Sequence, residues 1–171
     1  RQAAMRAALE GTTTLFLLNA VSDTELTQAM LTLNLAQEAG VRRVVYLSVF
    51  NAEPFSNVPH FASKRAIERM IADMGITASI LRPNCFMQND AAYFRAPLTG
   101  AGSYPFPLGE KGVSMVDAGD LSAVAAHEIL RRETAEGDLP TEVINVVGPE
   151  ALTGPGIAAI WSGVMGKPVQ W

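Results

Sequence analysis

The sequence predicts an α/β fold, a parallel β-sheet with helices packed on its faces. Three observations carry this prediction. Segments with apolar residues at helical 3–4 spacing alternate with short continuous apolar runs. The joins between them are short and punctuated by Gly and Pro. The runs are apolar on both faces, as strands buried between two helical layers must be. The chain has 171 residues, 49% hydrophobic and 18% charged. That is enough apolar material for a sizeable core and too much for a disordered chain. The length is that of one domain, which runs to roughly 100–200 residues.

Arg1–Leu9 reads as a helix rich in Ala, stopped by Gly11. Thr12–Val21 follows as a buried strand around Leu15–Leu18. Ser22-Asp-Thr-Glu25 has the form of a capping box, in which the Ser22 and Glu25 side chains each accept from the other's backbone N–H. The helix it opens has Leu26, Ala29, Met30, Leu33 and Ala36 on one face, and Gly40 ends it. Val41–Val49 follows, with Val44–Leu47 as a second buried strand and Arg42-Arg43 as a solvated turn before it. Asn51–Pro59 is a loop. Phe61–Met74 is a helix with Ile67, Met70, Ile71 and Met74 inward. Ile76–Leu81 is a third strand, ended by Arg82-Pro83 because Pro cannot donate to a ladder. Pro97–Gly112, dense in Gly and Pro, is an irregular excursion. Asp120 caps a helix through about Arg132, on a face expected to turn His127 toward the core. Val143–Val147 is a short strand. Thr153–Val164 is a last helix with Pro155 in its first turn, where the missing N–H is harmless, and Gly166 at its end.

The formal charge of −4 gives no electrostatic footprint for nucleic acid or an anionic membrane surface. No apolar run approaches the ~18 residues of a membrane span, and no secretory leader pattern opens the chain. The one cysteine, Cys85, excludes an internal disulfide and fits a reducing compartment, so a cytoplasmic location is expected. At its position it reads as a small packed hydrophobe. No cluster has metal-ligand spacing. Gly100-Ala-Gly102 neither follows a strand nor opens a helix, so it is a turn and not a phosphate loop.

His60 and Lys64, four apart at a helix N-terminus, share a face. Both follow a loop that leaves the second strand at Ser48. A Ser at a strand end, with an acid and a Lys one turn apart, suits proton-coupled carbonyl reduction. The Ser polarises the carbonyl, the acid gives the proton, and the Lys holds the cofactor ribose and tunes the acid. Taken alone, a His at such a place more often lines a surface and a Lys is solvated.

Five segments, in order, resemble the NmrA-like branch of the atypical short-chain dehydrogenase/reductases: 40–48, 60–64, 75–89, 116–122 and 147–153, covering nearly the whole chain. The resemblance implies a Rossmann-like parallel sheet with flanking helices that binds NADP or NAD, with NADP slightly favoured. His60 stands where catalytic branches carry Tyr. Lys64 matches the Lys expected on the nicotinamide ribose, and Ser48 takes the place of the carbonyl-polarising Ser. Asn19, Ala20 and Val21 match the loop beside the cofactor. Pro83, Asn84, Cys85 and Phe86 match the segment bordering the nicotinamide. Phe50, Asn51 and Asn89 are expected on the substrate side. The glycine-rich opening turn that holds the pyrophosphate has no counterpart here, so the N-terminal dinucleotide-binding half is expected to be missing. Residues 1–171 are thus read as one partial NAD(P)-binding domain, with substrate-side elements in about 84–171. The resemblance implies an NAD(P)H-dependent reductase of a small carbonyl or quinone. The rival is a non-catalytic dinucleotide-binding redox sensor that signals to a protein partner. The strand at Thr12–Val21, with one edge unpaired, is expected to bring copies together as a homo-oligomer.

Overall fold

The computed structural model describes residues 2–171 and divides into two units. One comprises the chain through Pro83 with Ser122–Asn145, the other Asn84–Leu121 with Val146–Trp171. The expected first helix is α1, Gln2–Leu9; Arg1 lies outside the described residues. Then come β1 (Thr14–Leu17), α2 (Glu25–Glu38), β2 (Arg43–Leu47), α3 (Pro59–Asp73) and β3 (Thr77–Pro83). A π-helical turn at Asp90–Phe94 runs into α4 (Arg95–Thr99), and α5 (Ala118–Thr134), β4 (Glu142–Val146) and α6 (Gly154–Met165) complete the chain.

The sheet order is β1-β2-β3-β4. β1 and β2 are parallel with Thr14 opposite Arg43 and Leu17 opposite Tyr46. β2 and β3 are parallel with Arg43 opposite Thr77 and Leu47 opposite Leu81. Val44–Leu47 and Ala78–Leu81 are buried throughout, because helices cover both faces. Side chains alternate along a strand. On one face Leu17, Val44, Tyr46, Ala78 and Ile80 pack with Ala29 and Leu33 of α2 and Ile67 and Ile71 of α3. On the other, Ser79 meets α5: its hydroxyl donates to Glu128 and accepts from Arg132 Nε at 2.6 Å. β1 is an edge strand, and Phe16 and Leu18 are exposed.

Several local expectations are corrected. No capping box forms. Thr24 is the N-cap of α2 without a side-chain bond, and only the Ser22 carbonyl accepts from Glu25 N–H. The buried stripe of α2 is Glu25, Ala29, Leu33 and Ala36, with Leu35 buried beside it, while Met30 is exposed. Starting the stripe at the acid rotates the inward face away from Met30. β3 runs on through Arg82 and Pro83, because the Pro83 carbonyl accepts from Phe50 N–H at 2.8 Å and needs no donor there. α5 starts at Ala118, and Asp117, not Asp120, caps it by accepting from Gly119 N–H at 2.6 Å. Its inward residues include Ala125, Glu128 and Arg132, whereas His127 is exposed. Arg43 is not in a solvated turn: it opens β2 and lies 3.5 Å from Asp138. Residues 97–99 of the expected irregular excursion are helical, in α4.

The second unit has its own core of Leu98, Tyr104, Met115, Ile157, Ala158 and Val169. α6 is capped as its sequence predicts: the Thr153 hydroxyl accepts from Gly156 N–H at 3.3 Å, and Gly166 is left-handed at φ 64°. Among the described residues no helix is long and apolar enough to cross a membrane, and no group of three or more His, Cys, Asp or Glu is arranged to hold a metal ion.

Candidate active site

Parallel strands end at one edge of the sheet, and ligands of open α/β sheets bind beyond their carboxyl ends. In the first unit that edge carries 19–21 after β1, 48–51 after β2 and Pro83 at the end of β3. Ala20 and Val21 are exposed, and Asn19 Oδ1 is buried with no hydrogen-bond partner. A buried acceptor without a donor is costly unless a ligand or water supplies one.

The centre of the site is a residue the sequence motifs misassigned. Glu25, 3% exposed at the start of α2, receives both candidate residues of α3. His60 Nδ1 lies 2.8 Å from Glu25 Oε2. Lys64 Nζ lies 2.9 Å from Oε1, an ion pair by distance without aligned hydrogen-bond geometry. Lys64 also donates to the Leu47 carbonyl at 3.0 Å and sits 5.4 Å from the centre of the Tyr46 ring. An ammonium has three donors, one of which is spent on the Leu47 carbonyl. A carboxylate only accepts, so the Nδ1 facing Glu25 carries a hydrogen. Among the described residues Nε2 has no polar partner. Burial, with Glu25 and then Glu68, pushes the Tyr46 phenol well above its usual range, so Tyr46 keeps its proton.

Ser48 is buried, and its hydroxyl donates to Glu68 Oε1 at 2.5 Å. Glu68 also accepts from Arg82 Nε at 2.9 Å and Nη2 at 2.6 Å. Burial pushes its pKa up, but bonds from Arg82, Ser48 and Arg65 outweigh burial and hold the carboxyl below the usual range. Ser48 is thus clamped, with its hydrogen engaged. Phe50 is half-buried, and Asn51 is exposed with a left-handed φ of 59°, a conformation Asn tolerates better than most residues.

Asn84, Cys85, Phe86 and Asn89 lie in the second unit, all half-buried. Asn84 Oδ1 accepts from Cys85 N–H at 2.8 Å, and Asn89 Nδ2 lies 3.5 Å from Cys85 Sγ. Burial pushes the Cys85 thiol up, which keeps it protonated and unreactive. The structure therefore joins His60 to Lys64 through Glu25. It keeps Ser48 on a separate Glu68–Arg82 cluster, and it ties 84–89 among themselves. Nothing local in the sequence pointed to these roles of Glu25, Glu68 and Arg82, since the contacts of Glu25 with His60 and Lys64 and of Glu68 with Ser48 and Arg82 join separate elements.

The model of the NmrA-like family matches residues 1–171. The NAD(P)H azoreductase of Xenophilus azovorans is 29% identical over 165 residues, 96% of this chain and 56% of that protein. A (4-alkanoyl-5-oxo-2,5-dihydrofuran-3-yl)methyl phosphate reductase of Streptomyces griseus is 32% identical over 139 residues, 80% of this chain and 46% of that one. The crystal structure of an NADPH-dependent quinone oxidoreductase from Escherichia coli, complexed with NADPH, matches with a TM-score of 0.84 at 26% identity, covering 100% of this chain and 59% of that one. The chain spans about half the length of the curated relatives it matches.

Proposed function

Because this chain belongs to the NmrA-like family, we propose that it forms part of an NAD(P)H-dependent reductase acting on a small quinone or carbonyl compound, with NADPH as the favoured reductant. The observation that carries the reading is the Glu25–His60–Lys64 cluster beside the carboxyl edge of the sheet. Similarity to an NAD(P)H azoreductase and to a quinone oxidoreductase complexed with NADPH supports it.

The residues present fit a dinucleotide. Asn19 Oδ1 needs a donor, which ribose or amide groups supply, and Ala20 and Val21 are exposed beside it. Lys64 offers a further N–H to a ribose hydroxyl. The dinucleotide supplies the hydride when bound. His60, as the imidazolium, gives its Nε2 proton to the substrate oxygen, and Glu25 balances the positive charge beforehand. Once the proton leaves, Nδ1–H still faces Glu25, so the ring keeps its orientation. Glu25 is thus a positioning residue. Ser48 is another: its bond to Glu68 fixes the chain leaving β2, which carries Phe50 and Asn51 toward the substrate. In this reading Pro83, Asn84, Cys85 and Phe86 border the cofactor, and Asn89 meets the substrate.

The rival sensor reading draws on His60 in the place of Tyr. NADPH oxidation by the complete polypeptide that carries this chain, over a panel of quinones, azo compounds and aldehydes, separates the two. Turnover supports the reductase. NADPH binding without turnover supports the sensor, and no binding overturns both.

A further inference from the structure

We propose that the second unit holds its own binding pocket for a flat aromatic cation, with Asp90 as the anionic anchor and Trp161 as the stacking face. The pocket is a cavity of about 420 Å³, within the range of about 300–1,000 Å³ typical of small-ligand sites. Met115, Leu152 and Ile157 wall it, and Ile160, half exposed, lies at its rim. Gln88 also lines it, but both ends of its amide are engaged elsewhere, by Asp117 and by the Ala118 N–H. Asp90 is therefore the polar group the wall presents.

Asp90 is buried, yet its two oxygens meet neutral donors: the Tyr104 hydroxyl at 2.8 Å and the Trp161 indole N–H at 2.9 Å. Among the described residues no Lys, Arg or His pairs with it. A carboxylate has about four acceptor sites, and two are taken. Two neutral hydrogen bonds fix its direction and bring no positive charge to it, and a cationic ligand would supply one. In an apolar cavity faced by an indole, the ligand that meets every demand is an aromatic ring bearing one positive charge. Its ring packs on the aliphatic wall, and its cationic group reaches Asp90 and the Trp161 π-face. Asp90 also begins a π-helical turn, a rare geometry that recurs at functional sites. Tyr104, fully buried and packed against Phe94 and Phe106, keeps the anchor rigid.

The inference does not rest on the reductase reading, and its test involves no nucleotide. Three probes of one shape, 2-naphthylmethylammonium, 2-naphthylmethanol and 2-naphthoate, are titrated calorimetrically into the complete polypeptide. The indole N–H signals of Trp161 and Trp171, told apart with Trp161→Phe, report the place of binding. We expect the ammonium to bind about tenfold more tightly than the alcohol, the naphthoate not at all, and only the Trp161 signal to shift. Asp90→Asn is expected to abolish the preference for charge, but it turns an NH2 toward a donor and loosens the fold. Ile160→Lys, at an exposed rim position, is the second variant: it keeps the fold and weakens the ammonium more than the alcohol. Equal binding of alcohol and ammonium, preference for the naphthoate, a shift confined to Trp171, or no ammonium binding at millimolar concentration would each overturn the proposal.

Discussion

Replacing Glu68 by Gln keeps the side-chain shape and removes its charge. The carboxylate is buried and accepts from Arg82 at 2.9 and 2.6 Å, from Ser48 at 2.5 Å and from Arg65 at 3.2 Å. Gln keeps one accepting oxygen and turns an NH2 toward a guanidinium. Losing one partner of a fully buried pair costs about 3–5 kcal/mol. The Arg82 and Arg65 side chains are 19% and 30% exposed, so water screens part of the loss. We take about 2–3 kcal/mol at neutral pH. For a chain of 171 residues that is a fall in Tm of about 4–10 °C. The pH dependence has a definite sign. Glu68 holds its carboxyl below the usual range in the folded state. Its contribution is therefore complete above the unfolded value of about 4.3 and is lost as pH falls through the lower folded value. Urea unfolding followed by circular dichroism, for wild type and Glu68→Gln at pH about 7 and about 3, reads both effects. Equal stability at neutral pH, or a difference that stays constant into acid, would refute the reasoning.

Three further outcomes are expected. Ser79→Ala leaves the buried Arg132 Nε without an acceptor and takes one donor from Glu128, which Arg131 still meets, and should cost about 1–3 kcal/mol by denaturant titration; a loss under about 0.5 kcal/mol would mean the cluster relaxes freely. Gly148→Ala would set a Cβ 2.0 Å from the Met115 carbonyl oxygen, a backbone atom that cannot swing aside, so this variant should lose about 2 kcal/mol or more in the same assay. In the complete polypeptide, Lys64→Ala should weaken NADPH binding more than His60→Ala, as read by calorimetry; the reverse order would overturn the assignment of Lys64 to the ribose.

The elements that sequence reading located best are those whose signal is local and one-sided. Val44–Leu47 is an uninterrupted apolar run that tolerates nothing but burial on both faces. Thr153, Pro155 and Gly166 mark α6 by backbone chemistry alone. What was misread involves charges placed inside. A pattern that counts Glu as polar cannot begin a buried stripe at Glu25, so it found Ala29, Leu33 and Ala36 but added Met30 and left out the acid. Ser22-x-x-Glu25 suits a capping box as well as any sequence does. The competing partners of Glu25 lie a full α3 away, His60 being 35 residues on, and no local rule weighs that contact. His60 and Lys64 were visible as a pair because helical spacing is local; the acid that joins them was not. Glu128 and Arg132 were hidden on α5 for a similar reason, since partners that make their burial tolerable include Ser79 of β3 and the Leu139 and Pro140 carbonyls beyond the helix.

In the proposed reductase, Glu25 and His60 form the proton-donating unit. The most direct test is steady-state NADPH oxidation with p-benzoquinone by the complete polypeptide, its Glu25→Gln variant and its His60→Phe variant. The account predicts turnover by the wild type, a fall in kcat of about 10²–10⁴ for His60→Phe with KM for NADPH little changed, and a smaller fall for Glu25→Gln confined to kcat. Turnover unchanged in His60→Phe would contradict it.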